Sequence, residues 1–159
     1  MKSKTKSATT SAPPKKKILI VDDDAAVREM LARVLAGEGY AVLTAANGFE
    51  ALDIAAATPL DLVLLDLNMP QKNGWDTFER LTAENPLLAV IIITARPNQF
   101  FTALGAGVGA LLEKPLDFPK LLKTVDGLLA ESAETRLARL AGRPAKFHYL
   151  RGQGTERAG

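Results

Sequence analysis

The chain has 159 residues, no cysteine and a formal net charge of +2, with 47% hydrophobic and 24% charged residues. That is enough chain for one domain with a buried core, it excludes disulfides and thiolate metal sites, and no apolar run nears the roughly 20 residues of a membrane span. The N-terminal lysines lack a following apolar stretch, so no secretory signal is read and a cytoplasmic protein is expected.

The charge is unevenly placed. Residues 1–17 carry six Lys and no acid, residues 18–130 carry fifteen acidic and eight basic residues, and residues 131–159 carry six basic and three acidic ones. Three parts follow. Residues 1–15 are a disordered basic arm, because Lys, Ser, Thr, Ala and Pro bury no area. Residues 16–130 are the folded domain. Residues 131–159 are a basic tail, partly helical and then disordered.

Ile18-Leu19-Ile20-Val21 is an apolar run without polar alternation, the mark of a strand buried on both faces, and the first strand is placed at 17–21. Asp24 is the expected cap of a helix whose Val27, Met30, Leu31, Val34 and Leu35 recur at core-facing spacing. Gly37 and Gly39 end it. Tyr40 to Thr44 reads as the second strand. Asn47 and Glu50 form a capping box for the second helix, with Ala51, Leu52, Ile54 and Ala55 on its apolar side. The third strand is at 61–65, followed by a loop over Asn68 to Gly74 and a helix from Trp75 to Ala83. Leu88 to Ile93 is the fourth strand. A fourth helix is expected at 97–107, short because Gly105, Gly107 and Gly109 alternate there and each helical Gly costs about 1 kcal/mol relative to Ala. The fifth strand is at 109–112, and Asp117 caps a fifth helix carrying Leu121, Leu122, Val125, Leu128 and Leu129. Residues 131–141 extend that helix or form another, and Phe147 to Leu150 is the last apolar cluster.

Strand and helix alternating five times is an α/β fold, a doubly wound five-stranded parallel sheet in a flavodoxin-like three-layer α/β/α arrangement. The expected strand order is 2-1-3-4-5, with the switch point between strands one and three. Asp22 and Asp23 follow the first strand and Asp66 the third, so three carboxylates crowd at the ligand crevice of the sheet. Carboxylates that close require protons, hydrogen bonds or a cation, and hard oxygen ligands suit Mg²⁺.

Asp22-Asp23, Asp66 before Leu67-Asn68-Met69-Pro70, Thr94 after Ile91-Ile92-Ile93, and Lys114 between Glu113 and Pro115 occur in that order, each just after an apolar run. In these pieces, over about residues 16–130, the chain resembles the response-regulator receiver domain of two-component signalling, of the stand-alone, chemotaxis-regulator-like type. The resemblance implies a single-domain response regulator that accepts a phosphoryl group on Asp66 from a sensor histidine kinase or phosphotransfer protein and signals by protein contact. It implies Mg²⁺ on Asp23, Asp66 and the Asn68 backbone carbonyl, with Asp22 acting directly or through water, a Thr94 hydroxyl that donates to the phosphoryl group, and a Lys114 ammonium that pairs with Asp66 and then with phosphate. It also implies a cis Lys114–Pro115 bond. Such a protein is not an enzyme beyond its own phosphorylation and dephosphorylation.

Receivers usually carry Tyr or Phe three residues before the lysine, whereas this chain has Leu111, so the usual relay is in doubt. The interval from Thr94 to Lys114 is also about two residues shorter than in common relatives. One of the adjacent Phe100 and Phe101 is expected to be exposed as a partner surface, because neighbouring helical residues cannot both face the core. His148 reads as an ordinary surface residue. A homodimer is compatible with the sequence. Nucleic acid is a disfavoured partner because the Arg residues of the tail are sparse and no binding module is recognised; the alternative is a degenerate receiver that binds it through the basic arms. An Mg²⁺-dependent aspartyl phosphatase or phosphotransferase would need a general acid two residues after Asp66, where Asn68 stands. Anionic FMN is disfavoured by the three acids after the first strand.

Overall fold

A computed structural model describes residues 14–68, 74–95, 99–143 and 147–152, apart from the side chain of residue 101. In chain order the elements are β1 (Lys17–Val21), α1 (Ala25–Gly37), β2 (Ala41–Ala45), α2 (Gly48–Ala57), β3 (Leu62–Asp66), α3 (Gly74–Glu84), β4 (Ala89–Thr94), α4 (Phe100–Ala106), β5 (Ala110–Glu113), α5 (Phe118–Leu129), α6 (Ala133–Leu140) and β6 (His148–Leu150). They build one parallel sheet in the order β2-β1-β3-β4-β5-β6.

The two-sided burial expected of the apolar runs is borne out. Leu19, Val21, Val63, Leu65, Val90, Ile92 and Leu111 share one core with Ala51 of α2, Phe78 and Leu81 of α3 and Ala103 of α4. The alternate residues Ile18, Ile20, Leu62, Leu64, Ile91, Ile93 and Leu112 share the other with Leu31 and Leu35 of α1 and Leu121, Val125 and Leu128 of α5. Successive side chains of a strand point to opposite faces, so β1, β3 and β4 are clamped between two helical layers. Each fully buried Leu or Ile stabilises this arrangement by about 2 kcal/mol. The strand ends that carry the acids are thereby fixed in place.

The caps are local and legible. Asp24 accepts from the N–H groups of Ala26 and Val27, Asn47 from Glu50 and Asp117 from Lys120. The Glu50 carboxylate reaches back to the Ala46 N–H, at 2.8 Å, one residue before the cap. Met30 is a correction: it lies 44% exposed on the outer side of α1, while Leu31 and Leu35 carry that helix's buried face.

In the C-terminal part the second of the two readings for residues 131–141 holds, and a sixth strand departs from expectation. Residues after α5 form a separate helix, α6, capped by Ser132, whose side chain accepts from the Thr135 N–H. Arg136 on α6 donates to the Leu128 carbonyl at 2.8 Å, an acceptor left over at the end of α5, and to the Leu87 carbonyl in the turn before β4 at 2.9 Å. Buried Arg139 pairs with Glu131. The sheet has six strands, not five: His148, Tyr149 and Leu150 pair in register with Ala110, Leu111 and Leu112. A three-residue strand that is only half-buried carries no periodicity from which to read it, and its pairing is decided by tertiary contact. His148 is accordingly a half-buried strand residue rather than a surface one. Residues 1–13 of the arm and 153–159 of the tail lie outside the described residues.

Candidate acidic site at the switch point

Asp22 and Asp23 follow β1, and Asp66 is the last residue of β3. The two strands are adjacent and parallel with Val21 opposite Leu65, so Asp22 and Asp66 are the next pair along. One carboxylate oxygen from each of Asp22, Asp23 and Asp66 lies within 4.8 Å of the others. Asp22 and Asp66 are buried and Asp23 is exposed, so the cluster opens to solvent on the Asp23 side.

Lys114, just beyond β5, places its ammonium 3.4 Å from Asp66 Oδ2 and 3.6 Å from Asp22 Oδ2. The expected partner was Asp66 alone; the lysine bridges two acids. Its backbone N–H donates to the Thr94 carbonyl at 2.9 Å, which ties the β5 end to the β4 end. The Lys114–Pro115 bond is cis. Asp22 Oδ1 accepts from the Asp24 N–H at 2.9 Å, and the Arg28 guanidinium donates to the Asp22 carbonyl at 2.6 Å. Asp22 Oδ2 is buried and accepts no hydrogen bond among the described residues. Burial pushes the Asp22 carboxyl above its ordinary range, and the Asp66 charge adds to this, while the Asp24 N–H and Lys114 oppose it.

Asp66 Oδ1 accepts from the Asn68 N–H at 2.9 Å. The Asn68 side chain turns towards β4, and its Oδ1 accepts from the Ala95 N–H at 3.1 Å and the Thr94 hydroxyl at 3.5 Å. Thr94 therefore meets the site through Asn68. The loop residues 69–73 and Arg96 lie outside the described residues.

Several residues at this site had no distinct signal in the sequence. Arg28 looks like any outer helix residue. Gly74 fits ordinary turn chemistry in the sequence, yet a Cβ there would lie 2.8 Å from Leu67 Cα and 3.2 Å from the Asp66 carbonyl, so α3 begins in direct contact with the Asp66 peptide. Phe100 is the covered member of the pair: its ring packs against the C-terminal segment, 5.5 Å from the ring of Phe147 and 5.1 Å from that of Tyr149. The Phe101 side chain is outside the described residues.

The family model "Response regulator receiver domain" matches residues 18–126. The response regulator MprA of Mycobacterium bovis is 36% identical over 138 residues, a match covering 80% of this chain and 60% of that protein. The transcriptional regulatory protein ZraR of Salmonella typhimurium is 36% identical over 123 residues, covering 76% of this chain and 28% of that one. The chain thus spans less than two thirds of the length of these relatives. A CheY-like receiver domain protein from Methanospirillum hungatei superposes with a TM-score of 0.70 at 30% identity, over 73% of this chain and 94% of that one. The response regulator TrrA of Thermotoga maritima, solved in complex with Mg²⁺-BeF, superposes with a TM-score of 0.67 at 32% identity, over 71% and 98%. No helix among the described residues is long and apolar enough to cross a membrane. Fold, order of motifs and matched span agree, and the chain belongs to the response regulator receiver domain family of two-component signalling.

Proposed function

We propose that Asp66 is the phosphoacceptor of this receiver, that Mg²⁺ serves the reaction, and that the product signals by phosphorylation-dependent protein contact. The observation that carries the reading is the cluster itself: three carboxylates within 4.8 Å faced by one ammonium. Such a set holds excess negative charge, and the buried Asp22 Oδ2 is an acceptor without a hydrogen bond among the described residues. An all-oxygen donor set with one open side fits a hard divalent cation. Asp22, Asp23 and Asp66 would hold it, with the Asn68 backbone carbonyl as a further ligand. When bound, Mg²⁺ supplies positive charge beside the carboxylates and the phosphoryl oxygens.

A carboxylate oxygen of Asp66 attacks the phosphorus of a phosphohistidine on a histidine kinase or phosphotransfer protein. The O–P bond forms, the P–N bond breaks, and the electron pair leaves on the imidazole, which takes a proton from solvent. Little covalent work falls to the protein, and positioning and charge neutralisation dominate. The Asn68 N–H on Asp66 Oδ1 fixes the carboxylate plane. Lys114 is within reach of the arriving phosphoryl oxygens, being already 3.4 Å from Asp66. The Thr94 hydroxyl would exchange Asn68 for a phosphoryl oxygen and draw its loop inward. Attack of water on the acyl phosphate breaks its P–O bond, releases inorganic phosphate and returns the Asp66 carboxylate. ZraR is named a transcriptional regulatory protein, so these relatives lend no support to excluding nucleic acid as a downstream partner.

The test is intact mass after incubation with Mg²⁺ and acetyl phosphate. One phosphoryl adduct is expected on the wild type, absent without Mg²⁺ and absent in Asp66→Asn. An adduct that survives the substitution, or forms equally well in chelator, would overturn the assignment.

A further inference from the structure

The segment 147–152 does more than add a strand. On one side it embraces α4, because Phe100 sits edge-on between Phe147 and Tyr149. On the other it grips the end of β5 at two points. The Tyr149 hydroxyl donates to Glu113 Oε2 at 2.7 Å. Gly152 is buried against the next peptide: a Cβ there would lie 2.3 Å from the Lys114 carbonyl oxygen and 3.1 Å from Pro115 Cδ. Only a residue without a side chain approaches a backbone this closely. Glu113 is paired with Thr94 across the sheet, and Lys114 is the residue whose ammonium bridges Asp22 and Asp66.

We propose that Tyr149 and Gly152 are positioning residues for the acidic site: acting on Glu113 and on the Lys114 backbone, the C-terminal strap holds the β5 end where the Lys114 ammonium spans both buried acids. A lysine has four rotatable bonds and reaches many places. Two contacts on the backbone and neighbour of Lys114, together with its own N–H on Thr94, narrow that range. The strap lies on the outer edge of the sheet, three strands away from β3 and its Asp66, so its effect on the Asp cluster passes through Lys114.

This rests on the phosphoacceptor reading, and the test separates the two. Lys114 is the built-in cation of the cluster. It opposes Mg²⁺ by like charge and assists the arriving phosphoryl group. Loosening it therefore moves two readouts in opposite directions. In the full chain, Tyr149→Phe keeps the ring stack on Phe100 and removes only the hydroxyl. Calorimetric titration should show Mg²⁺ bound about threefold more tightly. Adduct formation from acetyl phosphate should slow about fivefold, well short of the roughly hundredfold that a whole ångström of misplacement can cost. Glu113→Gln keeps an acceptor for the hydroxyl and should stay near wild type, while Glu113→Leu should reproduce Tyr149→Phe, with no further change in the double variant.

A strap that only stabilises the fold would lower the melting temperature and weaken both readouts together, or leave both unchanged well below melting. Either result overturns the proposal. If the wild type takes no adduct, the phosphoacceptor reading fails, and the direction of the Mg²⁺ change in Tyr149→Phe still decides the strap.

Discussion

Asp22→Asn is expected to stabilise the metal-free protein and to weaken its response to Mg²⁺. At an effective dielectric of roughly 20, two like charges 4.8 Å apart repel by about 3.5 kcal/mol, and Lys114 at 3.6 Å returns about 4.6 kcal/mol. Asp22 has two carboxylate neighbours and one ammonium, so repulsion exceeds attraction, although exposed Asp23 is screened by solvent and counts for less. Burial adds to the penalty, which is why the Asp22 carboxyl is held above its ordinary value of 3.8. Asparagine keeps an oxygen for the Asp24 N–H and removes the charge. A net gain of about 1 kcal/mol raises the melting temperature by about 4 °C in a domain of this size. The sign of the pH dependence follows. A raised carboxyl pKa means that the folded state holds the proton more tightly than the unfolded chain does. Ionised Asp22 therefore costs stability near neutrality, and that cost is relieved as pH falls through the raised pKa towards 3.8. Thermal unfolding in chelator should show the variant ahead at pH 7 and the gap closing on acidification. Adding Mg²⁺ should raise the wild type more than the variant, because a ligand stabilises the state that binds it. A variant less stable than wild type in chelator at pH 7, or a gap that widens on acidification, refutes the electrostatic reading of the cluster.

Two more perturbations test the surrounding frame. Burial and then the hydrogen bond to Asp126 push Tyr40 up to about 12, and burial with Glu113 raises Tyr149. Neither tyrosine should ionise at its ordinary pH of about 10. Because the folded state holds the Tyr40 proton more tightly, stability should fall as pH rises from about 10 to about 12. An absorbance titration with a single midpoint near 10 on folded protein would contradict both placements. Gly74→Ala gains helix propensity, yet its Cβ would press on Leu67 Cα at 2.8 Å and on the Asp66 carbonyl at 3.2 Å. The overlap should cost about 2 kcal/mol and, by shifting the β3 end, weaken Mg²⁺ binding. Unchanged melting and unchanged calorimetric affinity would show that the α3 start yields freely.

The central sheet was legible because its strands are buried on both faces. Runs such as Leu62-Val63-Leu64-Leu65 admit no other reading once a turn and a helical pattern follow each of them. The acids were legible for a related reason: a charged residue at the end of such a run has nowhere to go except the crevice. Asp22, Asp23, Asp66 and Lys114 meet as the topology required. What stayed hidden lies in contacts that carry no period. The Asn68 side chain bridges to Thr94 and Ala95 through one amide oxygen, and nothing in the spacing announces that. Gly152 could have been any tail glycine until its distance from the Lys114 carbonyl was known. The strand His148–Leu150 is too short to alternate.

That short strand also bears on Leu111. The position is fully buried, packs in the same cluster as Phe100 and Tyr149, and pairs with Tyr149 across the sheet. An aromatic side chain at position 111 would need added volume in the cluster that Phe100 and Tyr149 pack against, and an already packed core resists added atoms at a cost of about 1–3 kcal/mol. The leucine and the extra strand are thus two halves of one arrangement. A smaller side chain in β5 leaves room for a ring supplied from β6, and the hydroxyl of that ring returns to β5 at Glu113, opposite Thr94. Covering the β5 edge also pairs backbone groups that an edge strand would present to solvent or to another chain. An aromatic hydroxyl thus stands one strand out from Leu111, donating to Glu113, the residue before Lys114.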